Sequence, residues 1–103
     1  MQQVIDIERY DELQEAFVRE IIQQIRLKLM EAGISGEQLF DLTGNIAFSV
    51  ASTIDGNAVI ENDGMDVHPT LVFSGEEDEV IHSGENSYVH EFVADVMGKV
   101  FEQ

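Results

Sequence analysis

Cysteine and tryptophan are absent, proline occurs once, and only 5 Lys+Arg stand against 21 Asp+Glu in the 103 residues. The lack of cysteine excludes disulfides, thiolate zinc sites, iron–sulfur clusters and a cysteine nucleophile. Small extracellular domains usually need covalent staples, so a cytoplasmic location is expected. No apolar run approaches the ~18 residues of a membrane span. The start, Met1-Gln2-Gln3-Val4-Ile5-Asp6, has no basic region leading into a long apolar stretch, so no signal peptide is expected. The shortage of cations leaves a formal net charge of −16. Such a charge repels phosphate backbones and anionic lipid, so direct binding to nucleic acid or to a bare membrane surface is not expected.

What is present is a normal hydrophobic share, 44%. Acidic disordered chains lack that share, so a folded chain with an acidic skin is expected, as one small domain over residues 1–103. A chain of this size supports one modest core. The charge is unevenly placed. Residues 1–34 hold 7 acids and 4 bases, whereas residues 35–103 hold 14 acids and one base, Lys99. An electrostatic partner should therefore be basic and should meet the second part.

Tyr10, Leu13, Phe17, Ile21 and Ile25 recur at three- and four-residue steps, widened by Val18, Ile22 and Leu29, which predicts a helix over Ile7 to Ala32. Gly33 then supplies a left-handed stop with Ile34 as the apolar residue of a Schellman-type ending. Ser35 and Gln38 have the spacing of a capping box, with Ile34 and Leu39 as a hydrophobic staple, so a second helix starts at once and packs beside the first. Its length is ambiguous. Ile46, Phe48, Val50 and Ile54 alternate as in a strand, with Asp55-Gly56 as a hairpin turn. On a 100° wheel Leu39, Phe40, Leu42, Ile46, Ala47, Val50, Ala51 and Ile54 fill one half, and a helix to Thr53 is the preferred reading. Phe48 then lies off the apolar side.

Glu61-Asn62-Asp63-Gly64 reads as a turn. Thr70 to Ser74 reads as a strand opened by Pro69, Gly75 to Asp78 as a loop, and Glu79 to His82 as the return strand, with a weaker strand at Ala58 to Glu61. Tyr88, Val89, Phe92, Val93, Val96, Met97, Val100 and Phe101 form the stripe of a last helix from Glu85 to Phe101, with Ser83, Asn86 or Ser87 as its cap. The expected fold is α+β: two antiparallel N-terminal helices, a small antiparallel sheet of two or three strands built on a β-hairpin, and a C-terminal amphipathic helix.

The chemistry-bearing residues are few. His82, His90 and a carboxylate such as Glu85 are the candidate metal ligands, but their spacing matches no metal motif and ordinary hydrogen-bonded histidines are the plainer account. The stretch Glu61, Asn62, Asp63, Gly64, Asp66 is acidic like a calcium loop, yet the EF-hand register fails from Asp63 and from Asp55. Ser83 to Ser87 is neither a phosphate loop nor a nucleophile elbow. Glu76-Glu77-Asp78-Glu79 sets four carboxylates at a hairpin tip, either as a solvated loop or as a docking tip for a basic partner.

No catalytic constellation and no cofactor motif stand out. The expected function is a non-enzymatic protein-interaction module whose acidic surface binds a basic partner protein, in the manner of an antidote, chaperone or inhibitor. Its candidate partner-binding residues are Glu76, Glu77, Asp78, Glu79, Glu61, Asp63 and Asp66. Phe48 and Tyr10 are the candidate contacts of a homodimer. The alternatives are a metal-binding domain or metal-dependent enzyme centred on His82 and His90, and a passive subunit of a larger complex.

Overall fold

The computed structural model describes residues 2–102; Met1 and Gln103 lie outside the described residues. The elements in chain order are β1 (Gln2–Ile5), α1 (Ile7–Glu31), α2 (Gly36–Ile54), β2 (Glu61–Asn62), β3 (Met65–Asp66), β4 (Phe73–Ser74), β5 (Glu79–His82), a 3-10 turn (Val89–Phe92) and α3 (Val93–Phe101). The class is α+β, as the sequence predicts. Among the described residues no helix is long and apolar enough to cross a membrane.

α1 opens on Asp6, whose carboxylate accepts from the Arg9 N–H at 3.1 Å. It ends as the glycine predicts. Gly33 has φ +89°, the Gly33 N–H donates to the Met30 carbonyl at 2.9 Å, and the Ile34 N–H donates to the Leu29 carbonyl at 3.0 Å. Those two bonds make a Schellman ending. The capping box at Ser35 does not form: the Ser35 side chain makes no capping hydrogen bond. Gly36, the first residue of α2, has φ +63°, and this left-handed residue interrupts the regular first turn on which a capping box depends.

The helical reading of residues 45–54 holds, because α2 continues to Ile54. Its buried line differs from the wheel, however. Leu39, Thr43, Ala47 and Ala51 face the core, while Phe40, Ile46 and Val50 stay exposed. Small side chains at four-residue steps let α2 lie close against α1 and α3. The core joins Val18 and Ile22 of α1, Ala47 and Ala51 of α2, Val89 of the 3-10 turn, and Val93, Val96, Met97 and Val100 of α3.

The main sheet has the order β1-β5-β4. β4 and β5 are antiparallel (Phe73↔Ile81, Ser74↔Val80). β1 pairs parallel with β5, from Gln2↔Glu79 to Ile5↔His82, which corrects the expectation of a purely antiparallel sheet. Gln-Gln-Val-Ile carries no alternation to announce a strand, and its partner lies at the far end of the chain. The expected strand over Thr70 to Ser74 shrinks to Phe73–Ser74, because the Leu71 carbonyl accepts from the Tyr10 hydroxyl at 2.6 Å. The weak strand over Ala58 to Glu61 is replaced by a separate hairpin, Glu61↔Asp66 and Asn62↔Met65, turning on Asp63 and Gly64 at φ 51° and 78°. Positive φ at both central residues is the Asp-Gly turn geometry that suits the strand twist.

The last helix begins later than expected. Residues 83–88 lie outside any helix: Ser83 and Glu85 bond each other, and Asn86, Ser87 and Tyr88 bond to α1 and to the end of α2.

Candidate functional site

The polar centre of the molecule is Asp55, the residue after α2. Gly56, at φ +81°, reverses the chain there. The Gly56 N–H donates to the Thr53 carbonyl and the Asn57 N–H to the Ser52 carbonyl, at 3.1 and 2.9 Å, a second Schellman ending. This turn aims the Asp55 side chain inward, where it is only 2% exposed.

Its carboxylate is fully used. Oδ1 accepts from the Ser87 hydroxyl at 2.5 Å and from the Val89 N–H at 2.9 Å. Oδ2 accepts from the His90 N–H at 2.9 Å and meets His90 Nδ1. Asp55 is therefore the N-terminal cap of the 3-10 turn, delivered from another helix. Burial pushes the carboxyl up, but the bonds from the His90 amide, the Ser87 hydroxyl, the His90 ring and the Val89 amide outweigh it and hold the group below the ordinary aspartate range. The backbone carbonyl of Asp55 also accepts from the Asn86 side-chain amide at 2.8 Å.

A second set of bonds ties the same segment to α1. The Tyr88 N–H donates to Gln14 Oε1 at 2.8 Å, Gln14 Nε2 donates to Asp11 Oδ1 at 3.2 Å, and the Tyr88 hydroxyl bonds the Asp11 carboxylate. That bond, with burial, raises Tyr88 to about 12. Tyr10 is raised as well, chiefly by burial. Gln14 is fully buried in the otherwise apolar stripe of α1, placed there to satisfy the Tyr88 amide.

The arrangement is not a catalytic triad. The Ser87 hydroxyl bonds the carboxylate rather than the imidazole, and the described residues place no nucleophile on His90 Nε2. The His90 side chain is 28% exposed and meets the Phe48 ring edge-on, with centroids 5.9 Å apart. Phe40, Gly44, Phe48, His90, Val93 and Met97 line an open groove of about 390 Å³ between α2 and α3.

The structure separates the other candidates. Among the described residues, no group of three His, Asp or Glu side chains is placed to hold a metal ion, so His82, His90 and Glu85 do not assemble as ligands. Instead His82 Nδ1 accepts from the Gly84 N–H at 3.1 Å, His90 is held by Asp55, and Glu85 is exposed in the loop, its N–H donating to the Ser83 hydroxyl oxygen. Tyr10, considered for self-association, is 0% exposed and packs against Phe73 at 5.4 Å, so it offers no surface to a second copy. Phe48 is 50% exposed.

The acidic candidates lie at two tips. Glu61, Asp63 and Asp66 are exposed on the β2–β3 hairpin, and Glu76, Glu77 and Asp78 are exposed between β4 and β5, with Glu79 half-buried at the start of β5. Glu77 and Asp78 both have left-handed backbones, φ 48° and 69°, which hold the tip tight. In the sequence Asp55 stands only as a hairpin-turn residue and as the start of a calcium-loop register that fails, and its carboxylate's partners lie more than thirty positions away.

No protein family matches the chain, and comparison with curated proteins and with solved structures gives no match.

Proposed function

We propose that the chain is a non-enzymatic protein-interaction module that binds a basic partner protein in the cytoplasm. The observation that carries this reading is the distribution of ion pairs. Among the described residues, Arg19, Lys28 and Lys99 pair with Glu15, Glu31 and Asp95. Among the described residues none of Glu61, Asp63, Asp66, Glu76, Glu77, Asp78 or Glu79 enters such a pair, so each tip presents carboxylates that no described Lys or Arg holds. Charge of this kind steers encounter and selects partners more than it adds affinity. The absence of cysteine supports a reducing compartment.

A homodimer is the less favoured assembly, because it would bring two chains of charge −16 together. The test of the reading is co-purification of bound proteins at about 0.05 M and about 0.5 M salt, where screening differs strongly. A basic protein retained at low salt and released at high salt is expected, with retention reduced when Glu76, Glu77 and Asp78 become Gln, Gln and Asn. Retention that ignores salt, or no basic protein retained at low salt, overturns it.

A further inference from the structure

The groove between α2 and α3 stands apart from the acidic tips. Phe40, Gly44 and Phe48 follow one another at four-residue steps on α2, and Val93, Met97 and Phe101 do the same on α3, so both helices present rows along the groove. Gly44 is the low point of its row. A Cβ there would stand 3.3 Å from the Met97 methyl, so glycine lets Met97 rise against α2 and form the floor. Phe40 and Phe48 are 43% and 50% exposed, and Phe40 extends the surface to Phe101, with ring centroids 5.1 Å apart. Asp55 occupies His90 Nδ1, which leaves Nε2 as the ring atom open to an occupant.

The rim decides what fits. Asp41 borders the groove, and Glu37, Asp95 and Glu102 border its continuation past Phe40. Among the described residues two cations lie near it: Lys99, already bonded to Glu15 at 2.6 Å and to Asp95 at 3.3 Å, and Arg26, which lies over the Phe101 ring. An apolar floor between carboxylate rims is complementary to a helix with an apolar stripe and lysine or arginine on its flanks. A second copy of this chain is a poorer occupant, because it carries a charge of −16 itself. On its α1, Arg19 and Lys28 are paired and Arg26 lies over the Phe101 ring at 4.6 Å, which leaves Arg9 as a single cation at the start of the helix rather than a flank of cations.

We propose that this groove seats a cationic amphipathic helix of the basic partner. The proposal rests on the functional reading above and names where and in what form the partner binds. The probe is a synthetic peptide of about 18 residues, long enough to form a helix, with Leu at helical i, i+3, i+4, i+7 spacing and Lys elsewhere. A scrambled peptide of the same composition and a Leu/Glu counterpart are the controls. Binding is followed by NMR on the full isotope-labelled chain.

The Leu/Lys peptide is expected to bind and to shift Phe40, Gly44, Phe48 and Met97. Its affinity should fall by about tenfold or more in Phe48→Ser, the size expected for a central aromatic anchor. It should also fall in Asp41→Lys, which leaves every apolar contact in place, and should be unchanged by Glu76→Gln with Glu77→Gln and Asp78→Asn. Equal binding of the scrambled peptide, or shifts confined to residues 61–66 and 76–79, overturns the groove while leaving the basic-partner reading standing. No binding of the Leu/Lys peptide at low salt overturns the groove as well. Dimerisation of the free chain abolished by Phe48→Ser overturns it in favour of a second copy.

Discussion

Residues 7–54 and residues 55–88 are ordered by different means. In the first region α1 and α2 satisfy their backbone groups locally, end in glycine stops, and bury stripes at helical spacing. In the second, strands of two to four residues carry little pairing of their own, and order comes from single polar bonds that span the chain. Tyr10 holds the Leu71 carbonyl, Gln14 holds the Tyr88 amide, and Asp55 holds Ser87, Val89 and His90. A helix spreads its stability over many equivalent bonds, so one loss is tolerated. A segment held by a few buried polar contacts concentrates its stability, and each loss leaves an unpaired group in a low dielectric.

The largest break in this contrast is Asp55→Ala. It strands the Ser87 hydroxyl, two backbone amides and the His90 ring at once, and should cost about 3–5 kcal/mol, measured by urea unfolding. That is a large share of the ~5–15 kcal/mol of a small domain, so Asp55→Asn serves as the milder probe and adds a pH test. The folded-state pKa of Asp55 is lowered, so its stabilisation is present above the unfolded value of about 3.9 and is lost as pH falls through the folded value. The stability gap between the natural chain and Asp55→Asn should therefore shrink below about pH 4. A gap that does not narrow in acid would mean that the carboxylate's charge contributes nothing.

Tyr10→Phe comes next, leaving the half-buried Leu71 carbonyl without its protein partner at a cost of about 1–2 kcal/mol. Hydrogen exchange should rise around 70–74 and stay unchanged within α2, whereas uniform loosening would erase the distinction between the regions. The smallest effect belongs to the tip. Asp78→Gly places glycine at φ 69° and should change stability by less than about 1 kcal/mol, toward greater stability, because glycine meets no steric penalty there. A clear loss would show that the Asp78 side chain braces the hairpin.

Legibility follows the same division. The Gly33 ending of α1, the extent of α2 and the Glu79–His82 strand follow from periodicity and turn chemistry within a few residues. The parallel β1 strand was not legible, since Gln2 to Ile5 lack a pattern and depend wholly on β5. The capping box at Ser35 was legible but false, because Gly36 takes a left-handed backbone. Among site residues, the exposure of Phe48 off the apolar side of its helix was visible on the wheel. Tyr10 stood both in the apolar stripe of α1 and among the candidate self-association contacts, and its burial depends on a carbonyl partner sixty-one positions away.

By itself the sequence determined the class, the three helices, the excess of acid in residues 35–103 and the absence of cysteine chemistry. These depend on composition and on spacings within a turn or two, where each residue's neighbours are its neighbours in the chain. Only the tertiary structure decided that His90 belongs to Asp55 rather than to His82, that the 3-10 turn before the last helix is capped from the end of α2, and that Gly44 lines a groove beside Phe48. Those outcomes depend on which distant groups share one buried space, where an unpaired polar atom or a single extra carbon is costly enough to select the arrangement.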